Sequence, residues 1–223
     1  MKRRKWTYWL FVRIPAWYLL LSIFLVVLLR WVPVRYTPVM LKRAFQARNE
    51  HSYHSEREWV SLEDISPELI KAVIRTEDQR FYQHHGFDWE EMDGMWKRHK
   101  NDGGAIRGCS TISQQVAKNV FTFGTPTLLR KVSEAYWTCL MELFWPKNRI
   151  LEVYLNVAEL GHGLFGAEAA AERYFGCHAH SLDLRQSVAL AVSLPDPLEG
   201  NPLGPSPRQR RRRTELMDSY SSR

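Results

Sequence analysis

The sequence predicts a mainly α-helical domain behind one membrane-spanning helix, and three observations carry that expectation. Apolar residues recur at three- and four-residue intervals along most of the chain. No run alternates apolar and polar residues as a half-buried strand would, and no internal repeat is present. An uncharged run from Ile14 to Leu29 follows the basic cluster Lys2, Arg3, Arg4 and Lys5. At 223 residues the chain has room for one domain plus an anchor.

The anchor comes first. Its apolar run is shorter than the ~20 residues a spanning helix usually needs. Arg13 and Arg30 can snorkel to either interface, and Trp6, Tyr8, Trp9 and Trp31 supply interfacial aromatics. No small-x-small cleavage site follows, because the run passes directly into Arg30-Trp31-Val32-Pro33. The expectation is an uncleaved anchor over 13–34, with 1–12 as a cytoplasmic basic N-terminus and 35–60 as a juxtamembrane linker. Arg30, Arg35, Lys42 and Arg43 weigh against that orientation.

Ser66-Pro67 reads as a helix start: a hydroxyl cap, then a proline whose missing N–H costs nothing. Leu69, Ile70, Val73 and Ile74 form the apolar stripe, and the next step along it is Glu77. A carboxylate on a buried face has its charged form disfavoured, which suits general acid–base work. The plain alternative is a helix end whose Glu points to solvent. Ser110 is read as the cap of a helix reaching about Phe121, with Ile112, Val116 and Val120 inward. Ser110, Gln114 and Lys118 then share the opposite face, with one cation and no acidic partner, which suits a pyrophosphate or an ordinary solvated surface. A helix from about Leu129 to Phe144 packs Trp137, Leu140, Met141 and Phe144 inward. Glu134 joins that stripe, with Arg130 one turn earlier as a possible ion-pair partner. Pro146 begins a helix carrying Ile150, Leu151, Tyr154 and Leu155. Gly161, Gly163 and Gly166 mark a loop before a helix near Ala167–Phe175. A last helix covers about Leu184–Leu194 and ends at Pro195-Asp196-Pro197.

The formal charge of +7 lies at the two ends. Residues 6–207 hold 21 Lys+Arg against 22 Asp+Glu, a net of −1, while Arg208 and Arg210 to Arg213 make 206–223 a basic tail. With no nucleic-acid motif, nucleic acid is excluded as a partner. Cys109, Cys139 and Cys177 follow no metal spacing and read as buried small hydrophobes; one disulfide among them is permitted but not named by the sequence.

Four motifs sharpen the reading. Glu77-Asp78, Phe81, His84 and Gly86 fit Glu-Asp-x-x-Phe-x-x-His-x-Gly. Gly108 to Asn119 fits Gly-x-Ser-Thr-Ile-x-Gln-Gln-x-x-Lys-Asn. Arg130-Lys131-x-x-Glu134 and Ile150-Leu151-Glu152-x-Tyr154-Leu155-Asn156 follow in order. Together they resemble the peptidoglycan glycosyltransferases that polymerise lipid II. The resemblance implies a lysozyme-like lobe at 61–205 beside a smaller membrane-proximal lobe, in the periplasm of a single-pass inner-membrane protein. It implies Glu77 as the base and Glu134 as a second essential carboxylate. Lys118, Arg130 and Lys131 would offset charge on the departing pyrophosphate, with Ser110, Gln114, Gln115 and Asn119 lining the donor site. Asp78, Phe81, His84 and Gly86 would support the first loop. No cofactor is required, although Mg or Mn can accompany the family, and no metal-ligand cluster is legible. Partners would be lipid II, the lipid-linked glycan and the bilayer, with cell-division or cell-wall synthesis proteins as candidates. Family members are inhibited by moenomycin.

The chain departs from the family pattern between Asn119 and Arg130, where many relatives carry an extra Arg and this loop has no cation. Cys109 standing at a position usually Gly or Ala is a milder departure. No Ser-x-x-Lys, Lys-Thr-Gly or Lys-Ser-Gly occurs, so the resemblance is to the monofunctional members without a penicillin-binding domain. Two rival readings are a lysozyme-like glycan-cleaving enzyme and a weakly active membrane scaffold of the division machinery.

Overall fold

A computed structural model describes residues 9–50, 53–103, 110–123, 128–194 and 201–221. It is mainly helical, as the periodicities require. A π-helical segment, Trp9–Arg13, leads into α1 (Ile14–Leu29), followed by α2 (Pro38–Gln46), α3 (Pro67–Glu77) and α4 (Trp89–Asp102). Then come α5 (Ile112–Phe121), α6 (Leu128–Phe144), α7 (Lys147–Val157), α8 (Ala167–Phe175), α9 (Leu184–Ser193) and α10 (Pro207–Ser221).

The core forms where apolar faces meet. α5 lies against α2, α6 and α7, and α3 packs on α9, which also carries α10. Phe81, Ile112, Leu69, Met141, Ile150 and Tyr154 are almost wholly withdrawn from water. Truncating one of the large aliphatic members to Ala costs about 2–5 kcal/mol in such a setting.

α3 begins as the sequence suggested, with Pro67 at its first turn and Ser66 Oγ accepting from the Glu68 amide. α5 does not begin at Ser110. Thr111 is its cap, in a reciprocal box: Thr111 Oγ1 accepts from the Gln114 amide and Gln114 Oε1 from the Thr111 amide. The reason is the fold around it, since the Thr111 hydroxyl also donates to the Gly86 carbonyl at 2.7 Å.

Four other expectations need correction. Strands exist, though they are too short to show alternation: β1 (Glu56–Arg57), β2 (Glu159–Gly161) and β3 (Leu164–Phe165). They form one sheet in the order β1-β3-β2, with β1 parallel and β2 antiparallel to β3. The glycines read as a loop therefore sit in a hairpin, where Gly163 takes φ +73° and a Cβ would lie 2.7 Å from the His54 carbonyl. α4 was not foreseen, because its apolar residues Trp89, Met92 and Trp96 are exposed and none of its described residues is buried. The basic C-terminal stretch is α10, packed on the domain through Leu216. Cys139 is an exposed thiol and Cys177 half-buried, both free; Cys109 lies outside the described residues.

Phe11–Leu29 is long and apolar enough to cross a membrane. One face is open, with Trp17, Leu20, Leu21 and Phe24 exposed, while Tyr18 stacks on Tyr136 and Ser22 and Val26 are buried against the domain. Trp145 Nε1 donates to the Val26 carbonyl at 2.7 Å. Arg149 Nη2 donates to the carbonyls of Leu29 (2.9 Å) and Val32 (2.6 Å). The Leu29 carbonyl is one that a helix C-terminus leaves without an intrahelical donor, and a buried guanidinium satisfies it.

Candidate active site

Glu77 is the last residue of α3, and the turn that follows is fixed by its neighbour. Asp78 is buried; its carboxylate accepts from His84 Nε2 at 2.9 and 3.0 Å and, through Oδ2, from the Ile112 amide at 3.0 Å. The Gly86 amide donates to His84 Nδ1 at 3.1 Å, which assigns the ring proton to Nε2. One carboxylate thus joins the end of α3 to the positive N-terminal end of α5. Gly86 has φ +91°, and a Cβ there would lie 2.7 Å from Thr138 Cγ2. Phe81 fills the space beneath the turn, wholly buried, with its ring 6.3 Å from that of His84. All four supporting residues act together on the loop.

Glu77 itself lines a cleft of about 790 Å³ together with Ser110, Gln115, Lys118, Asn119 and Tyr154. Burial raises its pKa, opposed by hydrogen bonding from Gln115 and by the charges of Arg212 and Lys118. Gln115 Nε2 donates to Glu77 Oε2 at 2.9 Å, and the Tyr154 hydroxyl donates to Gln115 Oε1 at 3.3 Å. Tyr154 is fully buried and its pKa is pushed well up, chiefly by burial, so it remains a donor. Glu77 therefore has one aligned amide donor and no ion pair among the described residues.

Glu134 differs. It is buried on α6 and paired with Arg130, while Lys131 Nζ lies 3.2 Å from Oε2. Lys118 feels the charge of both carboxylates. Burial lowers its pKa, the Glu134 charge raises it, Arg130 and Lys131 lower it, and Glu77 raises it.

Of the residues expected to line a donor site, the cleft gathers Ser110, Gln115, Lys118 and Asn119. Gln114 does not line it, since its side-chain oxygen is held in the cap of α5. The expected stripe of Ser110, Gln114 and Lys118 is consequently broken. Sequence reasoning missed Tyr154, whose position on an apolar stripe gave no signal of its hydroxyl contact. It also missed Arg208 and Arg212, which line the cleft from α10 although the basic end looked remote from any binding face. Lys42 and Arg43 of α2 line it too. The cation-free loop at Gly124–Thr127 lies outside the described residues.

Among the described residues, Glu168, Glu172 and His178 bring potential metal-ligand atoms within 4.8 Å of one another. None lines the cleft, and Glu168 is already engaged: Oε1 with His178 Nδ1 at 2.6 Å, Oε2 with the Ala179 amide at 2.7 Å.

A buried carboxylate able to take a proton, facing a cleft with several cations, is the equipment of a group-transferring enzyme acting on an anionic substrate. Comparison with known proteins narrows the class. A transglycosylase family model matches residues 41–221. The chain is 46% identical to the biosynthetic peptidoglycan transglycosylase of Pseudomonas aeruginosa, over 88% of this chain and 84% of that protein. It is 46% identical to that of Rhodospirillum centenum, over 84% and 79%, and 44% identical to that of Stutzerimonas stutzeri, over 87% and 80%. The chain belongs to the transglycosylase family.

Proposed function

We propose that this chain is a peptidoglycan glycosyltransferase that polymerises lipid II. The 4-hydroxyl of the acceptor GlcNAc attacks C1 of the MurNAc at the lipid-linked end of the growing chain. Its proton passes to Glu77 as the O4–C1 bond forms, and the bond from C1 to the phosphate oxygen breaks. The anomeric centre inverts to a β-1,4 link and undecaprenyl diphosphate departs. General-base assistance of this kind contributes roughly 10²–10⁴-fold. Charge on the leaving group is met by Lys118, with Arg130 and Lys131 beside it on α6, while Glu134 keeps that cationic group in place. α1 serves as a single-pass anchor with the basic N-terminus cytoplasmic and the domain on the periplasmic side.

The observation that carries this reading is the raised, unpaired carboxylate of Glu77 held by Gln115 in a cleft it shares with Lys118. A glycan-cleaving enzyme has no use for cations beside a phosphate-free bond, which favours transfer over hydrolysis. Incubating the detergent-solubilised full chain with purified lipid II should give β-1,4-linked polymer. Fragmentation of preformed glycan, with no polymer made from lipid II, would reject the proposal.

A further inference from the structure

A second groove of about 840 Å³ runs between α3 and α10, and Thr76 and Arg212 line both it and the reaction cleft. The two spaces therefore meet one residue away from Glu77. Lys71, Arg75 and Arg212 line the groove with Ile74 and Leu216. Arg75 Nη1 donates to Ser219 Oγ at 3.2 Å, and its guanidinium sits 3.9 Å from the centre of the Tyr220 ring. These contacts orient Arg75 without neutralising it. Neither Arg75 nor Arg212 forms an ion pair among the described residues. The one acidic wall residue, Glu215, is already paired with Arg211 at 2.8 Å. Lys71 is tied only to Glu68, at an exposed position.

We propose that this groove receives the carboxylate-bearing stem peptide of the acceptor lipid II, making Arg75 and Lys71 determinants of substrate specificity. The inference rests on the reading of the cleft as a lipid II polymerase site. The stem hangs from the MurNAc next to the attacking GlcNAc, so it must leave the cleft near the base. The groove opens beside Glu77, on α3 and α10, whereas the cations assigned to the leaving pyrophosphate are on α5 and α6. Oriented guanidinium groups match free carboxylates, and Ile74 and Leu216 offer apolar contact to short side chains.

The test uses the full chain in detergent with two substrates: lipid II with free stem carboxylates, and the same lipid II with those carboxylates amidated. The wild type should show a KM about tenfold lower for the free-carboxylate substrate, from charge-assisted contacts. Arg75→Gln should raise KM for the free-carboxylate substrate and so bring the two KM values together. Lys71→Glu, at an exposed site where the surface pair with Glu68 is lost, should raise KM for the free-carboxylate substrate alone. Equal KM values in the wild type, or a preference that survives both substitutions, would overturn the proposal. If neither substrate is polymerised by the wild type, the glycosyltransferase reading fails instead.

Discussion

Glu77 and Glu134 look alike in sequence, each a carboxylate on the apolar stripe of a helix, yet the fold gives them opposite surroundings. Glu134 is clamped by Arg130 and Lys131, one turn away on its own helix. Glu77 receives one amide from Gln115, and the nearest cations act on it without pairing. Burial with counter-ions ties a carboxylate to its partners; burial without one favours the form that holds a proton. The lesson is that the position of a carboxylate states its burial, while its partners decide its chemistry.

The largest effect should come from breaking the Glu77 half. Glu77→Gln keeps the shape and removes the proposed base, so polymerisation should fall by about 10²-fold or more. Turnover within tenfold of wild type would reject Glu77 as the base. Next, Lys118→Ala should lower kcat by at least about tenfold with little change in KM, if its contact tightens as charge develops on the leaving group. Near-normal kcat in a folded protein would place that charge elsewhere.

Stability should separate the two carboxylates by sign. The folded-state pKa of Glu77 is raised, so its contribution to stability is fully present below the unfolded value and lost as pH rises through the folded one. Once the pH passes the folded value the ionised group is a net cost, and there Glu77→Gln should raise the melting temperature. Glu134→Gln should lower stability, because it removes the buried carboxylate that Arg130 and Lys131 share. Melting curves shifting the same way for both variants would erase the distinction. The smallest expected effect concerns Gln115. Gln115→Leu removes the hydrogen bond that favours the charged form, so the acidic limb of the pH–rate profile should move to higher pH. An alkaline limb, if it reports Lys118, should stay where it is, since Gln115 is not among the groups that shift Lys118. An unmoved acidic limb would detach Gln115 from the base.

The pair at Glu134 was legible because Arg130 is four residues away, a spacing any helix brings together. The support of Glu77 was only half legible: the motif named Gln115, but the contact spans 38 residues and depends on how α3 meets α5. Adjacent glutamines were indistinguishable until Thr111 took the cap and drew Gln114 away from the cleft. The α10 arginines were misplaced for a different reason. A run of like charges reads as a solvated tail, and nothing local records that Leu216 seats the helix beside the cleft. α4 and the short strands escaped because periodicity reports burial, and α4 buries no described residue while strands of two or three residues have no period to show.

Arg149 stands just before the fourth motif; one arm of its guanidinium pairs with Glu152 and the other holds the carbonyls of Leu29, the last residue of α1, and Val32 just beyond it. With α1 in a bilayer, that clasp sets a fixed stand-off between the lipid surface and Glu77. A substrate with a polyprenyl tail then never has to leave its own layer to find the base. Encounter becomes a search in a plane, governed by how many substrate molecules share each patch of membrane rather than each volume of solution. Loosening the clasp would leave every reacting group intact and still slow the enzyme, by returning height as a variable the substrate must match.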